Sequence, residues 1–116
     1  MKESLIEADG VKYARARGWL VYKWASPGNR GRHDRIFFKN GITFTIEYKT
    51  TGKKATIQQL ATALDLKDAG IPCRCCDTVQ ASRDFIDTMT NYAARKNLNS
   101  FPLEDISSFE FYRYYD

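Results

Sequence analysis

His33-Asp34-Arg35-Ile36-Phe37-Phe38-Lys39-Asn40-Gly41-Ile42-Thr43-Phe44-Thr45-Ile46-Glu47-Tyr48-Lys49 is the stretch that decides the architecture. Two runs rich in β-branched and aromatic residues flank Asn40-Gly41, a dipeptide that tolerates positive φ and marks a tight hairpin. The spacing therefore predicts antiparallel strands over 33–39 and 43–49. Along the second strand side chains alternate with period two. Ile42, Phe44, Ile46 and Tyr48 face the core, while Thr43, Thr45, Glu47 and Lys49 face the other way. Asp34 lies six residues before the Asn40-Gly41 turn and Glu47 six after it, so the two carboxylates converge at one end of the hairpin. Converging carboxylates repel unless a cation sits between them, and hard oxygen donors with water suit Mg2+ or Mn2+. Lys49, next along the Glu47 face, is placed to orient water or to balance charge on a phosphate.

Upstream, residues 3–17 read as a helix whose apolar stripe of Leu5, Ile6, Val11, Tyr13 and Ala14 is interrupted at Asp9-Gly10 and stopped at Gly18. Residues 19–24 read as a first strand, and Trp19 and Trp24 as packing side chains rather than base-stacking platforms. Residues 26–32 form a loop carrying Arg30 and Arg32. Downstream, a basic loop with Lys53 and Lys54 leads into a helix over 56–69. It is capped by Thr56, stopped at Gly70, and given an apolar side of Ile57, Leu60, Ala61, Leu64 and Ala69. Residues 71–76 read as a fourth strand, reached by a helical crossover of the length that parallel strands need. A last helix opens at Thr78 or Ser82 and runs to about Arg95. The expected fold is α/β, a mixed β-sheet flanked by helices in the order α-β-β-β-α-β-α. Residues 1–98 form one domain. Residues 99–116 are an aromatic extension that packs on the core or on a dimer partner.

The chain has 116 residues, enough for one domain with a real core. Its net charge of +4, from 18 Lys and Arg against 14 Asp and Glu, favours a polyanionic partner if the positive charges gather on one surface. Cys73, Cys75 and Cys76 are an odd number crowded into four positions, a layout for buried thiols rather than a disulfide framework. With His33 the one histidine, a zinc site is also disfavoured. No apolar run approaches a membrane span and no signal-peptide core follows Met1, so a cytoplasmic location is expected.

Gly31-Arg32-His33-Asp34-Arg35, then Ile46-Glu47-Tyr48-Lys49, then Gln58 at a helix start, resembles the VRR-NUC branch of the PD-(D/E)XK nucleases, with the Ser-Pro-Gly-Asn-Arg-Gly segment before the Asp part of the pattern. The resemblance covers roughly residues 3–87 and implies a restriction-endonuclease-like sheet. It also implies a metal-dependent DNA endonuclease of the stand-alone type found in phages, and so a cytoplasmic place inside a bacterial host cell if the chain is phage-encoded. Asp34 and Glu47 would be metal ligands and Lys49 the catalytic lysine. The main-chain carbonyl of Tyr48 would be a further ligand, Gln58 would support the site, and Glu7 would be another ligand, direct or through water. The cofactor would be Mg2+, with Mn2+ as a substitute. The sequence departs from the family pattern at His33, where a proline usually precedes the Asp, at Tyr48, usually aliphatic, and at Thr62, often His or aromatic.

Arg30, Arg32, Lys53 and Lys54 flank the proposed site and would contact DNA phosphates, and Arg35 would join them as a DNA contact or pair with a surface acid. Similar stand-alone proteins are homodimers that resolve four-way junctions, so a Holliday-junction-resolvase-like activity on branched DNA is the expected substrate preference, with no membrane partner. The alternative is a non-catalytic nucleic-acid-binding module that keeps the fold.

Overall fold

The computed structural model describes residues 1–95, and the aromatic segment 99–116 lies outside the described residues. Helix α1 spans Glu3–Ala16, followed by strands β1 (Leu20–Lys23), β2 (Arg35–Lys39) and β3 (Ile42–Tyr48), helix α2 (Ile57–Asp68), strand β4 (Cys73–Cys76) and helix α3 (Val79–Ala94). The order is α-β-β-β-α-β-α, the restriction-endonuclease-like arrangement expected from sequence. The four strands lie side by side as β1-β2-β3-β4. β1 and β3 both run antiparallel to β2, and β4 is parallel to β3.

The turn at Asn40-Gly41 has φ of 50° and 79°, the doubly left-handed geometry that suits a two-residue hairpin. It fixes the β2–β3 register, with Lys39 opposite Ile42 and Arg35 opposite Ile46. β3 is central, and this changes the meaning of its alternation. Phe44, Ile46 and Tyr48 enter the main core with α1 and α3, whereas Thr45 and Glu47 on the opposite face are also buried, at 0% and 2% exposure. The face read from sequence as simply polar is covered, in part by α2.

The main core stacks Phe37 on Phe44 at 4.3 Å, with Trp19 and Phe85 meeting Phe44 edge-on at 4.8 and 5.1 Å. The Trp19 indole N–H donates to Thr90 Oγ1 at 2.9 Å, so Trp19 packs as expected. Gly10 lies where α1 crosses the Tyr48 ring. A methyl there would overlap the Tyr48 hydroxyl and come 2.7 Å from Ser82 Oγ. The glycine that reads as a helix interruption is the residue that lets α1 approach the sheet.

Helix α2 begins with a complete capping box, Thr56 accepting from the Gln59 N–H and the Gln59 side chain accepting from the Thr56 N–H. Its orientation corrects the sequence reading. Of the expected apolar side only Leu60 packs inward, with Ala63 and Leu66, against Ala55, Cys73 and Cys75. Ile57, Ala61, Leu64 and Ala69 are exposed. Two stripes of comparable apolarity run along this helix. The smaller one meets the sheet because Ala63 permits close approach to β4 and because the Gln59 carbonyl is engaged from below. Helix α3 opens at Thr78, whose hydroxyl accepts from the Ala81 N–H at 3.0 Å. All three cysteines are buried and free, as expected. Among the described residues no helix is long and apolar enough to cross a membrane.

Candidate active site

Extending the β2–β3 register one step beyond Arg35 and Ile46 puts Asp34 opposite Glu47 on one face of the sheet. The convergence expected from the hairpin is therefore present. Asp34 Oδ2 accepts the Tyr48 N–H at 2.7 Å, which ties the entrance of β2 to the end of β3. Glu47 Oε2 lies 3.4 Å from Lys49 Nζ, whereas Glu47 Oε1 is buried with no hydrogen-bond partner among the described residues. Burial, followed by the charge of Asp34, pushes the Glu47 carboxyl up to about 8, against the pull of Lys49. Burial also pushes Asp34 up to about 6, reinforced by Glu7 and Glu3 and opposed by the Tyr48 N–H. The pair is thus an acidic site, Glu47 buried and Asp34 half-buried, with one oxygen left without a donor among the described residues.

That donor set suits a hard divalent cation. Among the described residues, however, no three His, Cys, Asp or Glu side chains are grouped to hold a metal by themselves. Of the acids on α1, Glu7 is paired with Arg35, Oε2 to Nε 2.6 Å, and Asp9 is held by Arg83 at 2.7 Å on the far side of the helix. The charge of Glu3 reaches both carboxyls, although Glu3 is not grouped with them as a third ligand. Asp34 and Glu47 would therefore form the protein's side-chain contribution. The Tyr48 carbonyl and water would complete the shell, as Mg2+ commonly allows.

The other expected site residues are distributed unevenly. Gln58 is exposed on the first turn of α2 and makes no side-chain bond to the carboxylates. The Gln58 carbonyl accepts from Thr62 Oγ1, and a Cβ at Gly31 would come 3.1 Å from that carbonyl oxygen, so the arginine loop lies tightly on this turn. Arg30 and Arg32 in that loop, and Lys53 and Lys54 after β3, are exposed. Arg35 is committed to Glu7 instead of to solvent.

His33, the departure from the family pattern just before Asp34, has a structural role that its position in the sequence does not announce. It is fully buried, with Nδ1 2.8 Å from Thr45 Oγ1 and Nε2 2.9 Å from the Gln59 carbonyl oxygen. It fastens the first turn of α2 to the central strand directly beside Asp34. The missing signal was Thr45, a polar residue on a face that had to be covered before it could partner a buried imidazole. Burial lowers the His33 pKa to about 4. The folded value lies below the unfolded value near 6.5, so the stability His33 contributes is complete above pH 6.5 and is lost as pH falls toward 4. The opposite trend of Asp34 and Glu47 is removed by comparing variants. In urea titrations, the stability advantage of the native protein over His33→Gln is expected to shrink by about 2 kcal/mol between pH 7.5 and pH 5.0. An advantage that does not change with pH would contradict a neutral buried imidazole.

Comparison with known proteins places this geometry in a fold. A solved structure described as "VRR_NUC domain" superposes with a TM-score of 0.67 over 75% of this chain and 96% of its own, at 20% identity. The chain thus has a VRR_NUC-like fold. It is also similar to "Putative nuclease p44" of Acyrthosiphon pisum secondary endosymbiont phage 1, with 39% identity over 61 residues. The match spans 52% of this chain and 66% of that protein. No family model matches the chain.

Proposed function

We propose that this chain is a metal-dependent nuclease that hydrolyses phosphodiester bonds in DNA, with a preference for branched or junction DNA and a homodimeric active form. The observation that carries the reading is that Glu47, opposite Asp34 across the hairpin, buries an oxygen that has no hydrogen-bond partner among the described residues. A fold has little reason to bury such a pair unless a bound cation offsets its charge. The VRR_NUC-like fold and the similarity to a phage protein named as a nuclease support the same class.

In this reading Asp34, Glu47 and the Tyr48 carbonyl hold Mg2+ or Mn2+. When bound, a divalent cation there polarises a phosphoryl oxygen and makes water more acidic. Lys49, with its side chain 16% exposed, keeps its ammonium at the mouth of the pair, where it balances charge developing on the phosphate or orients water. Arg30, Arg32, Lys53 and Lys54 hold flanking phosphates and so set the position of the scissile bond without reading sequence. Glu7, whose charge acts on Asp34, is held by Arg35, and loss of that pair to a bound phosphate would free Glu7 for the site. Two-fold symmetry of a homodimer would present two such sites to opposing strands, which paired nicking of a junction needs.

The test is incubation of the protein with labelled four-way junction, fork, flap and linear duplex in Mg2+, Mn2+ or EDTA. Cleavage in Mg2+ or Mn2+, fastest on a branched substrate and lost in EDTA, is expected. Cleavage that persists in EDTA overturns the metal role. Binding without cleavage of every DNA would favour a non-catalytic module on the same fold. Light scattering reads the dimer.

A further inference from the structure

On the face that carries Asp34 and Glu47, α2 packs on β4 and reaches Thr45 of β3 through His33, while side chains of β1 and β2 stay exposed. The side chains exposed there are Leu20 at 59%, Tyr22 at 57% and Phe38 at 36%, with half-buried Ile36 between them. Register places them in rows: Leu20 is opposite Phe38, and Tyr22 is opposite Ile36. The Tyr22 and Phe38 rings stand 6.3 Å apart in an edge arrangement. The next row reaches the carboxylates, since the Trp24 N–H donates to the Asp34 carbonyl at 3.0 Å and Asp34 faces Glu47. Trp24 is half-buried, with the exposed Arg32 guanidinium 6.0 Å from its ring.

We infer that this strip binds unpaired nucleobases of the strand flanking the scissile phosphate, Tyr22 and Phe38 acting as stacking platforms and Trp24 with Arg32 as the step nearest the carboxylates. The substrate class is therefore DNA with single-stranded nucleotides beside the cut. The proposal rests on the nuclease reading for the identity of the polymer. Three observations favour nucleobases as the occupant. The strip runs without interruption into the carboxylate pair, so a strand whose phosphate lies there must pass over it in one direction. Its end at Trp24 carries Arg32, and the strip residues Leu20, Tyr22, Ile36, Phe38 and Thr43 include no acid, which suits a phosphate backbone with aromatic faces beneath it. Rows two residues apart along a strand are spaced by roughly 6.6 Å. That is about twice the 3.4 Å rise of a duplex strand, so the rows fit splayed bases and not a stacked helix.

Binding of a labelled twelve-nucleotide oligo-dT, measured by anisotropy in EDTA so that nothing is cut, tests the strip apart from the chemistry. The full chain is expected to prefer this single strand to a duplex of equal length. Tyr22→Leu and Phe38→Leu keep apolar area but remove the ring, and each is expected to weaken oligo-dT binding roughly tenfold while leaving duplex binding unchanged. Tyr22→Trp is expected to retain binding. Equal binding by the leucine variants, or an equal loss on duplex, overturns the proposal. So does a free protein in which Tyr22 resists nitration by tetranitromethane, because the strip is then covered by residues 96–116 or by a second copy. Oligo-dT binding that depends on Tyr22 in a protein that cuts no DNA leaves the strip standing and removes the nuclease reading. Normal Mg2+-dependent cleavage with oligo-dT binding indifferent to Tyr22 does the reverse.

Discussion

Glu47→Gln is expected to make the metal-free protein more stable at pH 8 and to abolish cleavage. The carboxyl is buried, one oxygen has no donor, and burial with the neighbouring Asp34 raises its pKa to about 8. A carboxyl whose folded pKa lies above its unfolded value destabilises the fold once ionised. The penalty grows as pH rises from about 4.5 and is complete above about 8, on the order of 4–5 kcal/mol before any relaxation. An amide carries no such penalty, although its own buried N–H groups offset part of the gain. Thermal melts at pH 8 in EDTA should therefore place the variant several degrees above the native protein, and the difference should vanish near pH 5. Adding Mg2+ or Mn2+ should raise the native melting temperature more than the variant's, because a cation binds the ionised pair. Cleavage should fall by at least roughly 10²-fold, the loss typical when a group supporting a metal or a developing charge is removed. Equal stability of the two proteins at pH 8 would mean that Glu47 is not the strained member of the site.

Gly10→Ala is expected to destabilise the fold by about 2–4 kcal/mol, even though alanine is the better helix former by about 1 kcal/mol. The added methyl would meet the Tyr48 hydroxyl, Tyr48 Cζ at 2.9 Å and Ser82 Oγ at 2.7 Å. The Tyr48 ring cannot simply turn aside, because it is fully buried and its hydroxyl shares a 2.9 Å hydrogen bond with Ser82. Tyr48→Phe removes the atom with the worst overlap. Denaturant unfolding of the two single variants and the double variant should then be non-additive by more than about 1 kcal/mol, with the double variant more stable than the sum predicts. Additive losses would place the Gly10 effect elsewhere. Because the Tyr48 N–H also holds Asp34, the single variant should lose cleavage beyond what its unfolded fraction explains.

The features legible in the sequence are those fixed by local chemistry. Asn40-Gly41 determines a hairpin, the hairpin determines a register, and the register brings Asp34 to Glu47; none of these steps needs knowledge of what packs above the sheet. Thr56 and Gly70 bracket a helix for equally local reasons. What the sequence conceals depends on layers. Helix α2 carries two stripes of similar apolarity, and the choice between Leu60-Ala63 and Ile57-Leu64 is made by the shape of β4 and by a histidine from another loop. Gly10 looks like a weakness in α1 until Tyr48 is placed beneath it. Arg35 reads equally as a phosphate contact or as the partner of an acid until α1 brings Glu7 to within 2.6 Å of it. The ends of β3 illustrate both cases. Its alternation correctly assigns Glu47 and Lys49 to one side, but only the neighbouring strand and α2 determine that Glu47 is nearly inaccessible to water.

The three thiols on the edge strand β4 have a further consequence. Cys73 and Cys75 lie at 0% exposure, and burial pushes the Cys73 thiol up to about 12 and Cys75 higher still. Only the thiolate attacks an alkylating reagent, so at neutral pH Cys73 and Cys75 present almost no nucleophile, and Cys76 beside them is fully buried. Alkylation must therefore wait for the edge of the sheet to open, and its rate counts openings, much as amide exchange does. The chain thus carries its own reporter on the strand that neighbours Glu47, and bound DNA or a cation that tightens the site can be detected as a slower alkylation rate without any introduced label.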